Sequence, residues 1–355
     1  MTKEEFADQL EKGALQAGAL PVTSAILRWT ADQLKRGDPA WWKPIAKAWE
    51  KRTFVAWTEA WSLYVTCLHF EALSDADCEL VPYFPSCGGT AEADPTVALA
   101  RFLMQAPASF FDNLKNGHRR TYIAGRAAMW TAPAMLFFQR RDLPYHLVEV
   151  NAGAGVNLAA DIVRPIKGFD SDLVSARVGL DYRPLQTEDI IDRRWLTAGI
   201  WPDHVDGIVE LDAALEKIAA RSRDEAAFLQ LAACPPEKAA SFVTKNIPTD
   251  DPEVGLLIYN MGATVRMSDA DYAAYTASMA AMLQGWGERG LWVEVESVRG
   301  ETYSTTSQLR VHRILGGQLR SLVMASIDLE KATNQYSEAS TAFLGPEVSG
   351  ASLNK

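Results

Sequence analysis

From Tyr145 onward the chain alternates between short apolar runs and helical segments, and this alternation constrains the fold more than any other feature of the sequence. "YHLVEV", "ARVGLD", "AFLQLAA", "VGLLIYN" and "GLWVEVE" are each of strand length. Between them lie segments of helical pattern such as "VDGIVELDAALEKIAARS", "PPEKAASFVTKN" and "SDADYAAYTASMAAMLQGWGERG". A strand that is apolar along its whole length must be covered on both faces, so the pattern predicts a parallel sheet between layers of helix. The last two runs, "QLRVHRI" and "QLRSLVMASI", are separated only by "LGG", which predicts an antiparallel hairpin.

Residues 1–142 read differently. "DPAWWKPIAKAW" and "DPTVALARFLMQ" each carry an Asp-Pro helix start, and "GRAAMWTAPAMLFFQRR" is a third helical run ending in basic residues. Trp49, Phe54, Trp57, Trp61, Tyr64 and Leu68 recur at helical spacing and predict one broad aromatic face, read as core and not as a binding cage. The expected organisation is a helical N-terminal region or lid over 1–142, an α/β Rossmann-like domain over 143–333, and a polar, loosely held tail over 334–355. Five parallel strands followed by an antiparallel hairpin is the strand inventory of methyltransferase-like sheets.

Composition narrows the function classes. The net charge is -10 and the apolar share 48%, so an extended phosphate backbone is an unexpected partner and no nucleic acid is predicted. Four irregularly spaced cysteines (Cys67, Cys78, Cys87, Cys234) with no CxxC read as reduced thiols, and "MTKEEFADQL" is not a signal peptide. The longest apolar stretch is interrupted by Glu59, His69 and Glu71, so no membrane span is expected and the localisation reads as cytoplasmic. The five histidines show neither ligand spacing nor HExxH, and no metal site is predicted. A Gly-x-Ser-x-Gly elbow is absent too, and Cys87 in "FPSCGGT" has no nominated partner.

The segment with most chemical content is "VEVNAGAGVNLAAD", a turn after the first predicted strand. In a doubly wound sheet, ligands sit at the carboxyl ends of the strands, against such a turn. A Walker loop needs a lysine and a Ser/Thr after the last glycine, and "GVNLAAD" has neither. A dinucleotide fingerprint starting at Gly153 and Gly155 would place Leu158 where a small residue belongs. The spacing Glu149-x-Asn151-x-Gly153-x-Gly155 matches a pattern for S-adenosylmethionine at every place but Asn151, a residue type that tolerates positive φ. Asp181, at the end of the second strand, is the expected ligand of the ribose hydroxyls. After strand three only Ala233 and Cys234 stand where an acid would meet adenine.

Candidate residues for chemistry lie near the other strand ends. Tyr259 and Asn260 close the fourth strand, where acceptor contacts are expected, and "NMGA" lacks the Asn/Asp-Pro-Pro-aromatic pattern of enzymes that methylate DNA bases. His118, Arg119, Arg120 and Arg126 precede the first strand; they read as a basic helix start or as a grip on a carboxylate or phosphate. In "WPDHVDG", Trp201 would stack on adenine or close the core, and Asp203 would cap a helix.

The pieces "EVNAGAGVNL", "VGLDYRPL" and "WPDH" resemble the uncharacterised bacterial family called domain of unknown function 2332, similar to class I methyltransferases with a helical N-terminal region. Glu149, Gly155, Asn157, Asp181, Pro184, Trp201, Pro202 and Asp203 match its pattern, while Asn151, Gly153 and His204 depart from it. "TYIAGR" keeps Thr121, Gly125 and Arg126 but places Tyr122 and Ile123 where the family is polar. The resemblance implies the fold and the cofactor class, and adds Asn157 to the cofactor-binding set, but it implies no substrate. The expectation is an S-adenosylmethionine-dependent methyltransferase of a small-molecule acceptor, with Tyr259, Asn260 and Arg126 as catalytic candidates. Two alternatives stand beside it: an NAD(P)-dependent oxidoreductase, and a non-catalytic descendant of the fold that binds a ligand or partner.

Overall fold

A computed structural model describes residues 1–90, 92–120, 127–225, 227–298, 306–328, 333–336 and 343–345. Helices α1 (Lys3–Gln16), α2 (Pro21–Arg36), α3 (Trp42–Ala48), α4 (Glu59–Ser74), α5 (Thr96–Gln105) and α6 (Ala108–Asn116) come first, followed by α7 (Ala128–Phe137). Helices α8 (Ala160–Val163), α9 (Ile190–Ala198), α10 (Val205–Asp224), α11 (Ala239–Asn246) and α12 (Asp269–Trp286) lie between or beside the strands in sequence. The strands are β1 (Tyr145–Val150), β2 (Val174–Asp181), β3 (Gln230–Ala233), β4 (Gly255–Met261), β5 (Gly290–Ser297), β6 (Thr306–Leu315), β7 (Gln318–Asp328) and β8 (Thr333–Tyr336). Two compact units emerge: Met1–Ile123 with Leu185–Ala213, and Ala124–Pro184 with Ala214–Lys355. Thus α7 clusters with the sheet, and α9 with the N-terminal helices.

The first unit is a helical core built on aromatic contacts. Phe6 meets Trp49 at 4.8 Å and Tyr64 at 5.8 Å, both edge-on, while Trp61 stacks on Trp201 at 5.3 Å. The single aromatic face expected over 49–68 is divided, because α3 ends at Ala48 and α4 begins only at Glu59. The reason lies in Arg52, whose guanidinium donates to the carbonyls of Leu114, Lys115 and Gly117 and so draws residues 50–58 off any helical path. Trp49 and Phe54 still pack edge-on at 5.2 Å, now as loop and cap residues. The basic stretch 117–120 is itself not helical. Arg119 there donates to the Gly199 carbonyl and lies 4.1 Å over the Trp201 ring.

The second unit is α/β, with one mixed sheet in the order β3-β2-β1-β4-β5-β6-β7-β8. Strands β1 to β5 pair in parallel and β5 to β8 pair antiparallel, as the run lengths and the "LGG" turn require. Gly316 and Gly317, with φ of 56° and 74°, form the two-residue turn between Leu315 and Gln318, a geometry that favours glycine at both places. One sheet face packs Leu147, Leu257, Leu291 and Val293 against Trp130 and Phe137 from α7. The other packs Val148, Ile258 and Trp292 against Val243 of α11 and Met279 and Leu283 of α12. Both faces being covered explains why the parallel strands read as continuous apolar runs.

The tail is held where it is described. Strand β8 pairs with β7, which would otherwise present an open edge of unpaired amides. Further on, Arg141 donates to the carbonyls of Leu344 and Gly345 and Arg313 to that of Phe343, and Leu344 is fully buried. Two arginines thus satisfy backbone carbonyls of the tail at 343–345; the rest of 337–355 lies outside the described residues.

Candidate functional site

Strand order reverses between β1 and β4: the chain passes from β1 outward to β2 and β3, then returns to β4 on the other side. In an open α/β sheet the crevice at the carboxyl ends of two such strands is the usual place for a ligand. Here it is bordered by the glycine turn after β1 and by the loop 262–268 after β4.

The turn is built from alternate left-handed residues. Asn151, Gly153 and Gly155 have φ of 72°, 61° and 70°. A backbone that alternates in this way turns successive amides toward one side, a geometry suited to an anion. The anion present is the chain's own Asp181, whose Oδ2 accepts from the Gly153 amide at 2.9 Å while Oδ1 accepts from the Arg183 amide at 3.0 Å. The amides of Asn151 and Ala152 donate to the Leu180 carbonyl at 2.8 and 3.1 Å, and that of Gly155 to Ala152. The turn is therefore tied to the end of β2, and Asp181 is 0% exposed. A Cβ on Gly155 would lie 2.9 Å from a Leu231 methyl and 3.0 Å from a Leu229 methyl, so these leucines already cover the glycine.

The residues around the turn have equally specific partners. Asn157 offers its carbonyl to the Trp130 indole at 3.0 Å, and Asn151 Nδ2 donates to the Met261 carbonyl at 3.4 Å, joining the turn to the end of β4. Glu149 is 3% exposed and stands directly across from Tyr259 in register. Tyr259 is buried, stacked on Trp130 at 6.3 Å, and its hydroxyl is held well above the usual tyrosine range by burial first and by the Glu149 charge second. Arg177 and Asp161 form a buried two-pronged ion pair at 2.9 and 2.8 Å on the same face of β2 as Asp181. Leu158, at the third fingerprint position, is fully buried, and the turn leads into a 3-10 segment, Val156–Ala159, and the four-residue α8. A dinucleotide pyrophosphate would lack a long helix to bind at its N-terminus.

Other candidates fall elsewhere. Asn260 is buried on the opposite face from Tyr259: its Oδ1 accepts from the Trp292 indole at 2.7 Å and the Tyr275 hydroxyl at 3.3 Å, and its Nδ2 donates to Glu296 at 2.6 Å. Arg126, with the rest of "TYIAGR", lies outside the described residues. Trp201 belongs to the helical unit, between Trp61 and Arg119. Asp203 caps a helix, though not the one that follows it: its carboxylate takes the amides of Val22 and Thr23 at 2.8 and 2.9 Å, at the start of α2. Cys87 lies 3.8 Å from Ser86 Oγ, and burial raises its thiol pKa, the reverse of an activated nucleophile.

Two acids escaped the reading by motif. Glu237, four residues beyond β3, accepts from the Tyr182 hydroxyl at 3.1 Å beside Asp181, so an exposed acid does stand past the third strand. Glu296, next to the last residue of β5, anchors the loop after β4, its Oε1 accepting from the Ala263 amide at 2.9 Å. The signal for it was legible: glutamates at alternate places, 294 and 296, in a run that must be buried.

A search of curated proteins finds no match to the sequence. A family model does match, over residues 5–165 and again over 163–329, and so across both units. The chain therefore belongs to the family described as "Uncharacterized protein conserved in bacteria (DUF2332)".

Proposed function

We propose that the sheet unit binds a nucleoside cofactor, S-adenosylmethionine before NAD(P), and transfers its methyl group to a small-molecule acceptor. The observation that carries the reading is the left-handed turn at Asn151, Gly153 and Gly155, facing a carboxylate at the end of β2 beside the strand reversal. The donor chemistry fits. Asp181 is a carboxylate at the end of β2 that holds the glycine turn by accepting from the Gly153 amide, and a carboxylate there is the group type that takes vicinal hydroxyls. Tyr182, 61% exposed, and Glu237 stand at the rim, where a base edge would lie against them. When bound, the sulfonium supplies an electrophilic methyl; the chain's part is to orient the acceptor and exclude water. Tyr259 and Asn260, both buried and packed in the sheet, support the site and do not contact the acceptor.

One observation favours a second reading, a non-catalytic descendant of the fold. Asp181 is fully buried and the leucines at 229 and 231 cover Gly155, so the crevice floor is closed by side chains. Calorimetry with S-adenosylmethionine, S-adenosylhomocysteine and NAD separates the readings, using the wild type and Tyr182→Ala, an exposed position whose loss spares the core. Saturable binding of both sulfur nucleosides, weakened in the variant, supports the methyltransferase reading. NAD binding alone overturns it, and silence from all three on folded protein moves the family member to the non-catalytic class.

A further inference from the structure

The carboxyl group of Glu296 is asymmetric in its surroundings. One oxygen, Oε1, gathers three donors: Asn260 Nδ2 at 2.6 Å, the Ala263 amide at 2.9 Å and the Thr264 amide at 3.3 Å. The other, Oε2, is buried and accepts no hydrogen bond, in a residue 7% exposed overall. A carboxylate spreads its charge over both oxygens, so an ionised Glu296 would leave half of that charge in the interior with no donor. A neutral acid suits the same surroundings: the proton sits on Oε2 while Oε1, as a carbonyl, keeps its three donors.

We propose that Glu296 is a proton-operated latch that positions the loop 262–268, holding it closed over the carboxyl end of β4 as a neutral acid and releasing it on ionisation. The charged and titratable groups facing it are consistent with that role. Glu294, two residues earlier on the same face of β5, adds repulsion to an ionised Glu296. Arg310 on β6 lies 3.5 Å from Glu294, and the Tyr272 hydroxyl of α12 donates to Glu294 at 2.9 and 3.1 Å. Tyr275 of α12 directs its hydroxyl to Asn260, and the residue opposite Glu296 on β6 is the uncharged Gln308. Burial, opposed by the donors from Asn260, Ala263 and Thr264, raises the Glu296 pKa to about 7, so the latch operates around neutral pH. Asn151 links Met261 to the glycine turn, so release of this loop would reach the other wall of the crevice. Under the reading above, that is the acceptor side; the latch itself stands or falls independently of that reading.

Two measurements test it. Deuterium uptake of a peptide spanning 261–268, corrected for intrinsic exchange, should show protection falling about tenfold from pH 6 to pH 8 in the wild type, as expected for a group half ionised near 7. In Glu296→Gln, an uncharged isostere, the protection should be flat over that range. Infrared spectra of the wild type should show a buried carboxylic acid band at pH 6 that disappears by pH 8 and is missing from the variant. The same pH profile in both proteins, or no acid band at pH 6, overturns the proposal. If the variant fails to fold, the wild type decides by itself: protection of 261–268 that does not change between pH 6 and pH 8 overturns the proposal.

Discussion

Acid should loosen the helical unit through one side chain, His69. It is fully buried in the middle of α4, with Nδ1 2.9 Å from the Ile200 carbonyl and Nε2 2.8 Å from Ser86 Oγ. A carbonyl can only accept, so Nδ1 carries the proton and Nε2 receives the serine hydroxyl; the ring is neutral. Burial lowers its pKa to about 4, partly offset by the carbonyls of Ile200 and Ala198 and the charge of Asp203. In the unfolded chain the same ring titrates near 6.5. Between those values the unfolded state binds a proton that the folded state refuses, so stability is complete above about pH 6.5 and falls as the pH drops. The slope is about 1.4 kcal/mol per unit, and the loss by pH 4 is about 3 kcal/mol. His69→Asn retains a donor near the Ile200 carbonyl but cannot be charged; at pH 7.5 it should be less stable than wild type by about 2 kcal/mol, from the lost serine bond and a small void. By pH 4 that deficit should be erased or inverted, while carboxylates common to both proteins cancel. Urea melts followed by tryptophan fluorescence are the assay, since Trp29, Trp41, Trp42, Trp49, Trp57, Trp61, Trp195 and Trp201 all lie in this unit. A difference between the two proteins that stays constant from pH 7.5 to 4 would mean that His69 does not titrate with unfolding.

Three further outcomes are expected. Gly155→Ala meets both a left-handed φ and the Leu231 methyl, whereas Gly262→Ala, at φ 63° with nothing within 4 Å of its Cβ, meets only the backbone cost; thermal melts should place the first at least about 1 kcal/mol below the second. Arg177→Met leaves the Asp161 carboxylate buried and unpaired and should cost about 3–5 kcal/mol, while the double variant with Asp161→Leu should recover much of that in the same denaturant series. Asp181→Asn keeps one acceptor but exchanges the other for a donor facing a backbone amide; a loss of about 1–3 kcal/mol is expected, and an unchanged melting temperature would mean that the turn does not depend on this carboxylate.

The periodicity of the chain was enough for the α/β class, the strands β1 to β7 and the hairpin, because strand length and turn chemistry are local properties. It was also enough to find the turn after β1, since few residue types tolerate the left-handed geometry at 151, 153 and 155. The break between α3 and α4 was not legible, because its cause is Arg52 reaching carbonyls more than sixty residues away. Nor was the placement of Asp203 at the start of α2, some 180 residues distant in the chain. The same holds for the crevice. Sequence alone assigned a carboxylate to the end of β2 and an amide to the end of β4. It took the folded chain to turn Asp181 inward to its own glycine loop, to join Asn260 to a buried network, and to leave Glu296 with one oxygen unanswered. A side chain's protonation and its partners depend on which atoms the fold brings within about 3 Å, and no spacing along the chain encodes that distance.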